Sequence, residues 1–297
     1  MKKFQFFYPA MSLGLISILA VSAESGSEND VISTKDGLKV LYVTHEPGKY
    51  HDYTPQREIF EEIAKRNGWN LTVMSGSFDE VEDKLASNEN FGVGSDVIVY
   101  NVCMAHSDRL EAPHNIITHT KEKGIPSLLI HGSLHSFWPT YKAGKNDLAS
   151  RVCPVGANEK VQAKKGLVAE WKKSHPGVEF PAWPNMTGIA SVKHGPRKPV
   201  EAIALDESHP IFDGLKGYTT HEQAELYNNY ITAKDSPKTT VLMKGKQGKD
   251  QAAILWEHPV GKSKSVSFTL GHSVAEWQQE PFQKLLTNSV NYLGSSK

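Results

Sequence analysis

Four short and almost wholly apolar runs, Leu38–Thr44, Leu71–Met74, Asp96–Val102 and Pro126–His131, alternate with helical patterns in the first half of the chain. A strand that is apolar on both faces must be covered on both faces, which is the habit of parallel sheets. The intervening segments supply the covers. Thr54 and Pro55 open a helix whose apolar stripe, Ile59, Phe60, Ile63 and Ala64, ends before Gly68. Ser77 and Glu80 have capping-box spacing ahead of Val81 and Leu85. A third helix is expected over 109–124. Strand–helix repeats of this kind predict an α/β fold, a parallel sheet with helices on both faces.

The second half is less regular. Strands are expected at 188–193, 200–205, 239–243, 251–256 and 264–270, followed by a helix opened by Pro281 and ended by Gly294. Its face is Phe282, Leu285, Leu286, Ser289, Val290 and Leu293. Segment 140–187, Lys/Gly-rich and then Pro/Trp-rich, reads as an insertion packed over the sheet's active edge. One domain over 38–294 accounts for these elements, with 24–37 as a flexible leader.

Residues 1–23 have the layout of a secretory signal peptide: Lys2 and Lys3, an apolar run to Val21, then Ser22-Ala23 as small residues at the cleavage point. The expected location is therefore periplasmic or secreted. The whole chain carries 33 basic and 33 acidic residues. Such a balance gives no field for nucleic acid, nor for a membrane surface once the signal is cleaved; a homo-oligomer is compatible with it. The two cysteines, Cys103 and Cys153, could pair after export, but two cysteines make no disulfide scaffold. No Gly-x-Gly-x-x-Gly and no phosphate-binding loop follows the first strand, which argues against a nucleotide.

Histidine placement carries the chemistry. Of 13 histidines, His45 and His51 follow the first expected strand, His106 the third, His131 and His135 the fourth, and His272 the last. Ligands of open α/β sheets bind at the carboxyl ends of the strands. Three chemistries compete for these residues. A divalent metal, zinc or manganese, could be held by His131 and His135, which share a face if a helix starts after the strand, with His51 as the preferred third ligand and Asp52 or His272 as alternatives. Imidazoles with Asp52, Glu222 or Glu225 could instead move protons without metal. Ser133 or Cys103 could act as a nucleophile with His272 as base, although His131-Gly-Ser-Leu-His135 is not a Gly-x-Ser-x-Gly elbow. Tyr50, Trp138 and Trp277 sit in expected loops beside histidines, where rings suit stacking on a sugar; His45, His51 and Tyr227 complete the expected substrate contacts.

Tyr50-His51-Asp52, Leu129-Ile-His-Gly132, His209-Pro-Ile211 with Gly214-Leu215, Glu225-Leu-Tyr227 and Leu270-Gly-His-Ser273 with Trp277 stand in one order along 38–294. Together they resemble the trehalose-utilisation (ThuA-like) family of the class I glutamine amidotransferase-like superfamily. The resemblance implies a flavodoxin-like parallel sheet with additional strands, and carbohydrate metabolism. By chain order it places His131 on the superfamily's nucleophile turn and His272 at its later histidine position. No cysteine stands on that turn, so glutamine hydrolysis is not expected. Ala224 replaces an acidic residue common in the family, so only Glu225 carries over. The implied protein is an exported enzyme of sugar isomerase or lyase type acting on a keto-sugar or glycoside derivative. His131 and His272 would be acid and base, with Asp52 or Glu225 orienting an imidazole. Its rival is a non-catalytic carbohydrate-binding protein of the same fold.

Overall fold

The computed structural model describes residues 37–141, 163–164, 166–191, 193–227 and 238–295. The expected signal peptide, nearly all of the expected leader, Cys153 and the stretch 142–162 of the expected insertion lie outside the described residues. The strands are β1 (Lys39–Thr44), β2 (Asn70–Met74), β3 (Val97–Asn101), β4 (Ser127–Ile130), β5 (Glu201–Ala204), β6 (Tyr218–Thr219), β7 (Thr240–Gln247), β8 (Asp250–Val260) and β9 (Ser263–Phe268). The helices are α1 (Tyr53–Arg66), α2 (Phe78–Ser87), α3 (Glu111–Lys121), α4 (Leu167–Ser174), α5 (Pro184–Thr187), α6 (Val274–Trp277) and α7 (Glu280–Gly294).

All strands join one sheet in the order β2-β1-β3-β4-β9-β8-β7-β5-β6. Its first five members run parallel, as the apolar runs require. From β9 onward every pairing is antiparallel, which corrects the expectation of an essentially parallel sheet to a mixed one. The reason is local. Two-residue hairpin turns at Gly248 and Gly261, both at positive φ, join β7 to β8 and β8 to β9, and a tight hairpin can only reverse the chain.

Alternate residues of each parallel strand feed two separate cores. On one face Val40, Tyr42, Val97 and Val99 pack with Phe60 and Ile63 of α1 and Leu285, Leu286, Val290 and Leu293 of α7. On the other, Leu41, Val43, Ile98 and Tyr100 pack with Val81 and Leu85 of α2 and Ile116 of α3. The Ser77–Glu80 capping box of α2 is formed. Helix α1 starts two residues earlier than a Thr54 cap would place it, at Tyr53, and Thr54 turns its hydroxyl to Glu46 Oε2 at 2.7 Å instead of capping.

No strand forms among the described residues of 188–193. Gly188, at φ +71, ends α5, residues 189–191 and 193–196 are coil, and Arg197 makes an isolated antiparallel bridge to Glu225. The described parts of the insertion fold against the turn after β4: Trp183 donates its indole N–H to the Ser133 carbonyl at 2.8 Å and packs edge-on to Phe137.

Two features position the site. β1 and β3 are neighbours whose connections leave in opposite directions, opening a crevice beyond their carboxyl ends. β4 and β9 lie side by side in parallel register, Ile130 opposite Phe268, so the residues just past both strands meet.

Candidate functional site

His131 stands directly past β4 at φ +41, a left-handed conformation that costs a non-glycine residue about 1 kcal/mol. Such strain in a strand-to-helix turn projects a side chain sharply and is commonly kept for function. The next residue, Gly132, lets this turn close on its neighbours. A Cβ there would lie 2.8 Å from the Tyr53 hydroxyl oxygen and 3.0 Å from Cys103 Cβ and from His51 Cε1.

Hydrogen bonds fix the ring chemistry. His131 Nδ1 lies 2.6 Å from the Thr269 carbonyl, which can only accept, so Nδ1 carries a proton. In the neutral ring Nε2 is then a lone pair, and the Tyr227 hydroxyl donates to it at 3.1 Å. His272 Nδ1 stands 3.3 Å from the same Nε2 and 3.5 Å from Glu225 Oε2. An Nδ1–H on His272 can donate to His131 Nε2 with the Glu225 carboxylate close by, and leaves Nε2 of His272 as the basic nitrogen. His51 completes the group: its Nδ1 meets the Tyr53 hydroxyl at 3.0 Å, and its ring lies 4.9 Å from that of His131 and 5.3 Å from that of His272.

The loop bearing His272 is itself held. Gln56 donates to the Gly271 and His272 carbonyls at 3.4 and 3.3 Å. Glu276, buried, accepts from the Gly271 and Ser273 amides at 3.3 and 3.2 Å. The Ser273–Glu276 capping-box spacing was the sequence signal for this anchor, and Glu276 went unremarked.

Burial drives the electrostatics. Taken out of water, His51 is pushed down to about 2, with the neighbouring His131 and His272 adding to the effect. His272 is pushed down to about 4, first by burial and then by His131. Both rings are therefore neutral near pH 7. Burial pushes Glu225 up, but the hydrogen bond and charge of His131, with His272 and His194, outweigh it and hold the carboxyl at about 2. Arg197 Nε donates to Glu225 Oε1 at 3.2 Å. Cys103 is pushed up to about 11 by burial, a poor state for a nucleophile.

These groups line a cavity of about 470 Å³ together with Lys49, Tyr50, Ala105, His135, Trp138, Lys193, His194 and Tyr227. His131 sits beneath it, 1 % exposed. Of the residues expected from sequence, His51, His131, His272, Glu225 and Tyr227 come together, and Tyr50 and Trp138 stand on the cavity wall. The others do not. Asp52 is exposed ahead of α1 and outside the cavity lining. His45 is buried behind Cys103, accepting its backbone N–H at 3.2 Å. Trp277 is core: fully buried, bonded to the Gly271 carbonyl and packed edge-on to Phe282. Ser133 is tied to the Tyr100 carbonyl and the Val102 amide.

The metal set is regrouped. His131–His135 is a 3-10 turn, in which residues four apart point about 120° away from each other instead of about 40°. His135 accordingly faces Ser191 at 2.9 Å and stacks on Tyr227. His51, His131 and His272 instead offer nitrogens within 4.8 Å of one another. Three imidazoles, with His131 anchored through its other nitrogen on a carbonyl, form a donor set that suits zinc better than manganese. Sequence reading missed Arg197, His194, Lys49 and Lys193 at the mouth.

Residues 156–293 match the ThuA family, described as trehalose utilisation. The matched stretch contains Arg197, Glu225, Tyr227 and His272, but neither His51 nor His131. Among solved structures, a protein described as ThuA-like from Parabacteroides merdae is 14 % identical with a TM-score of 0.61, covering 88 % of this chain and 91 % of its own. One from Bacteroides uniformis, also described as ThuA-like, is 14 % identical with a TM-score of 0.55, covering 88 % and 93 %. At that identity the likeness is one of fold. No curated protein matches the chain.

Proposed function

We propose that this ThuA-like chain is an exported enzyme that moves a proton beside the ketone of a keto-sugar or keto-glycoside. The observation that carries the reading is the row Glu225–His272–His131 at the floor of an open cavity, with contacts of 3.5 and 3.3 Å along it. The Glu225 carboxylate, 3.5 Å from Nδ1 of His272, favours the tautomer with its proton there, so Nε2 is the base that removes the proton from the carbon next to the carbonyl. The electron pair moves onto the carbonyl oxygen. The Tyr227 hydroxyl, turning its proton from His131 Nε2 to the cavity, would hydrogen-bond the resulting enediolate. Passing the proton from His272 to the former carbonyl carbon, as the neighbouring hydroxyl gives its own to the former carbonyl oxygen, isomerises the sugar; passing it to an oxygen substituent on the β-carbon as the electron pair returns expels that substituent as an alcohol and leaves a double bond. Tyr50 and Trp138 provide the flat walls that a sugar ring stacks on. The link to carbohydrate rests on the family match.

The test is deuterium wash-in from D2O at the carbon beside the ketone of a keto-glucoside, followed by NMR. Exchange in the wild type that vanishes in His272→Ala supports the enzyme. Binding of the same sugar by both proteins, with exchange in neither, leaves the non-catalytic sugar-binding reading in its place.

One observation favours a metal-assisted version: the convergence of His51, His131 and His272 nitrogens within 4.8 Å. Zinc held there would polarise the ketone oxygen, and His51, idle in the metal-free scheme, would be a ligand. Elemental analysis of wild type and His51→Ala decides. Near-stoichiometric zinc lost in the variant supports the metal, and none in either removes it.

A further inference from the structure

The mouth of the same cavity carries charges that proton transfer does not use. Lys49, Lys193 and Arg197 line it with His194 beside them, and Glu225 is the one carboxylate among the described lining residues. That carboxylate is already engaged. Its Oε1 accepts from Arg197 and lies 3.5 Å from His194 Nδ1, while Oε2 faces His131 and His272. The chain as a whole is neutral, with 33 basic and 33 acidic residues. Three cations at one opening are therefore a local concentration, not spill-over from net charge. Two other surface clefts mix their signs: one has Lys121 with Glu122 and Glu179, the other Arg66 with Glu58 and Glu62.

Arg197 gives the pattern a shape. Its Nε is pinned by Glu225 at 3.2 Å, and its backbone by the antiparallel bridge to the same residue. Its two terminal amino groups have no hydrogen-bond partner among the described residues, and the side chain is more than half exposed. A guanidinium pinned at one edge still offers a planar fork, the geometry that carboxylates and phosphates accept in two parallel bonds.

We propose that the cavity selects a sugar bearing an oxyanion, carboxylate or phosphate, gripped by Arg197 while Lys49 and Lys193 raise the local anion concentration. The inference deepens the keto-sugar reading and rests on it: the anion is the handle that keeps the reacting carbon against His272.

Titration calorimetry of the full chain with glucose, glucuronate and glucose 6-phosphate tests this. At least one charged sugar is expected to bind about tenfold tighter than glucose, some 1.4 kcal/mol, and the better of the two identifies the anion. The preference disappears in Arg197→Gln and shrinks in Lys49→Gln and Lys193→Gln, neither of which touches Glu225. Raising sodium chloride from about 50 to 500 mM weakens the charged sugar and spares glucose. Equal affinities, a preference that survives Arg197→Gln, or no binding of any of the three overturns the proposal. So does an Arg197→Gln variant that loses glucose and glucuronate alike, since Arg197 would then act only through Glu225. Deuterium exchange on a neutral keto-glucoside is read separately. Exchange without anion preference sinks this inference alone, and anion preference without exchange sinks the catalytic reading alone.

Discussion

Acid should unfold this protein partly through His272. Its ring is 8 % exposed and is held at about 4 against an ordinary value of 6.5, so the unfolded chain binds its proton first. A folded value below the unfolded one means stability that is complete above pH 6.5 and drains as pH falls toward 4. A gap of about 2.5 pH units corresponds to about 3.4 kcal/mol in all, of which about 2.4 is lost between pH 7 and pH 4.5. Urea unfolding at those two pH values, on chelator-treated protein so that no cation adds its own proton linkage, measures the loss. His272→Gln cannot titrate there and should lose about 2.4 kcal/mol less than wild type over the same interval. His51 keeps most of its own depressed value in that variant, because burial and not His272 is its largest cause. Parallel pH dependences in the two proteins, agreeing within about 0.5 kcal/mol, would refute the claim that His272 is held neutral by its surroundings.

Cys103, raised to about 11 by burial, should alkylate with iodoacetamide at a rate that still climbs above pH 10, whereas a plateau near pH 9 would show an ordinary thiol. Gly132→Ala places a Cβ within 3.0 Å of Tyr53, Cys103 and His51, and is expected to cost about 1–3 kcal/mol and to abolish exchange activity. A variant as stable as wild type would show that the turn has room. Because His131 sits at φ +41, His131→Gly should be about 1 kcal/mol more stable than His131→Ala, though both lack the ring. Equal stabilities by urea unfolding would mean that the turn relaxes once the imidazole is gone.

What the sequence disclosed follows how local each signal is. The parallel half was legible because each strand is an unbroken apolar run, and each helix carries its own stripe or cap; Ser77 and Glu80 needed no tertiary information. The carboxyl-end rule then located His51, His131 and His272 on one edge without saying which would touch. Their distances depend on the parallel pairing of β4 with β9, strands separated by more than 130 residues. His135 went astray for a related reason: its spacing from His131 reads as one helical face only if the turn is α, and the turn is 3-10, with its Ser133 carbonyl accepting from the distant Trp183. Trp277 drew attention by standing near His272 in the chain, yet its ring closes the core beneath that loop.

Arg197 was hidden by the failure of an expected strand. Had 188–193 entered the sheet, 193–198 would be an ordinary connection and its cations solvated. Instead the coil after Gly188 lies beside 224–227 through one bridge, and that bridge puts a guanidinium on the only carboxylate among the described residues of the cavity. The consequence reaches the chemistry. Glu225 faces histidines on one oxygen and Arg197 on the other, so the group that orients the proposed base is tied to the group that would grip an anion. An oxyanion drawing on the Arg197 fork competes for the charge that now falls on Glu225 Oε1. Weakening that pair leaves more of the carboxylate's charge to the His272 Nδ1–H and makes its Nε2 more basic. An anionic sugar should therefore raise the pKa of His272, readable as a shift of its imidazole proton resonances with pH in the presence of glucuronate. An unmoved titration with glucuronate bound would break the link between the mouth and the floor of the cavity.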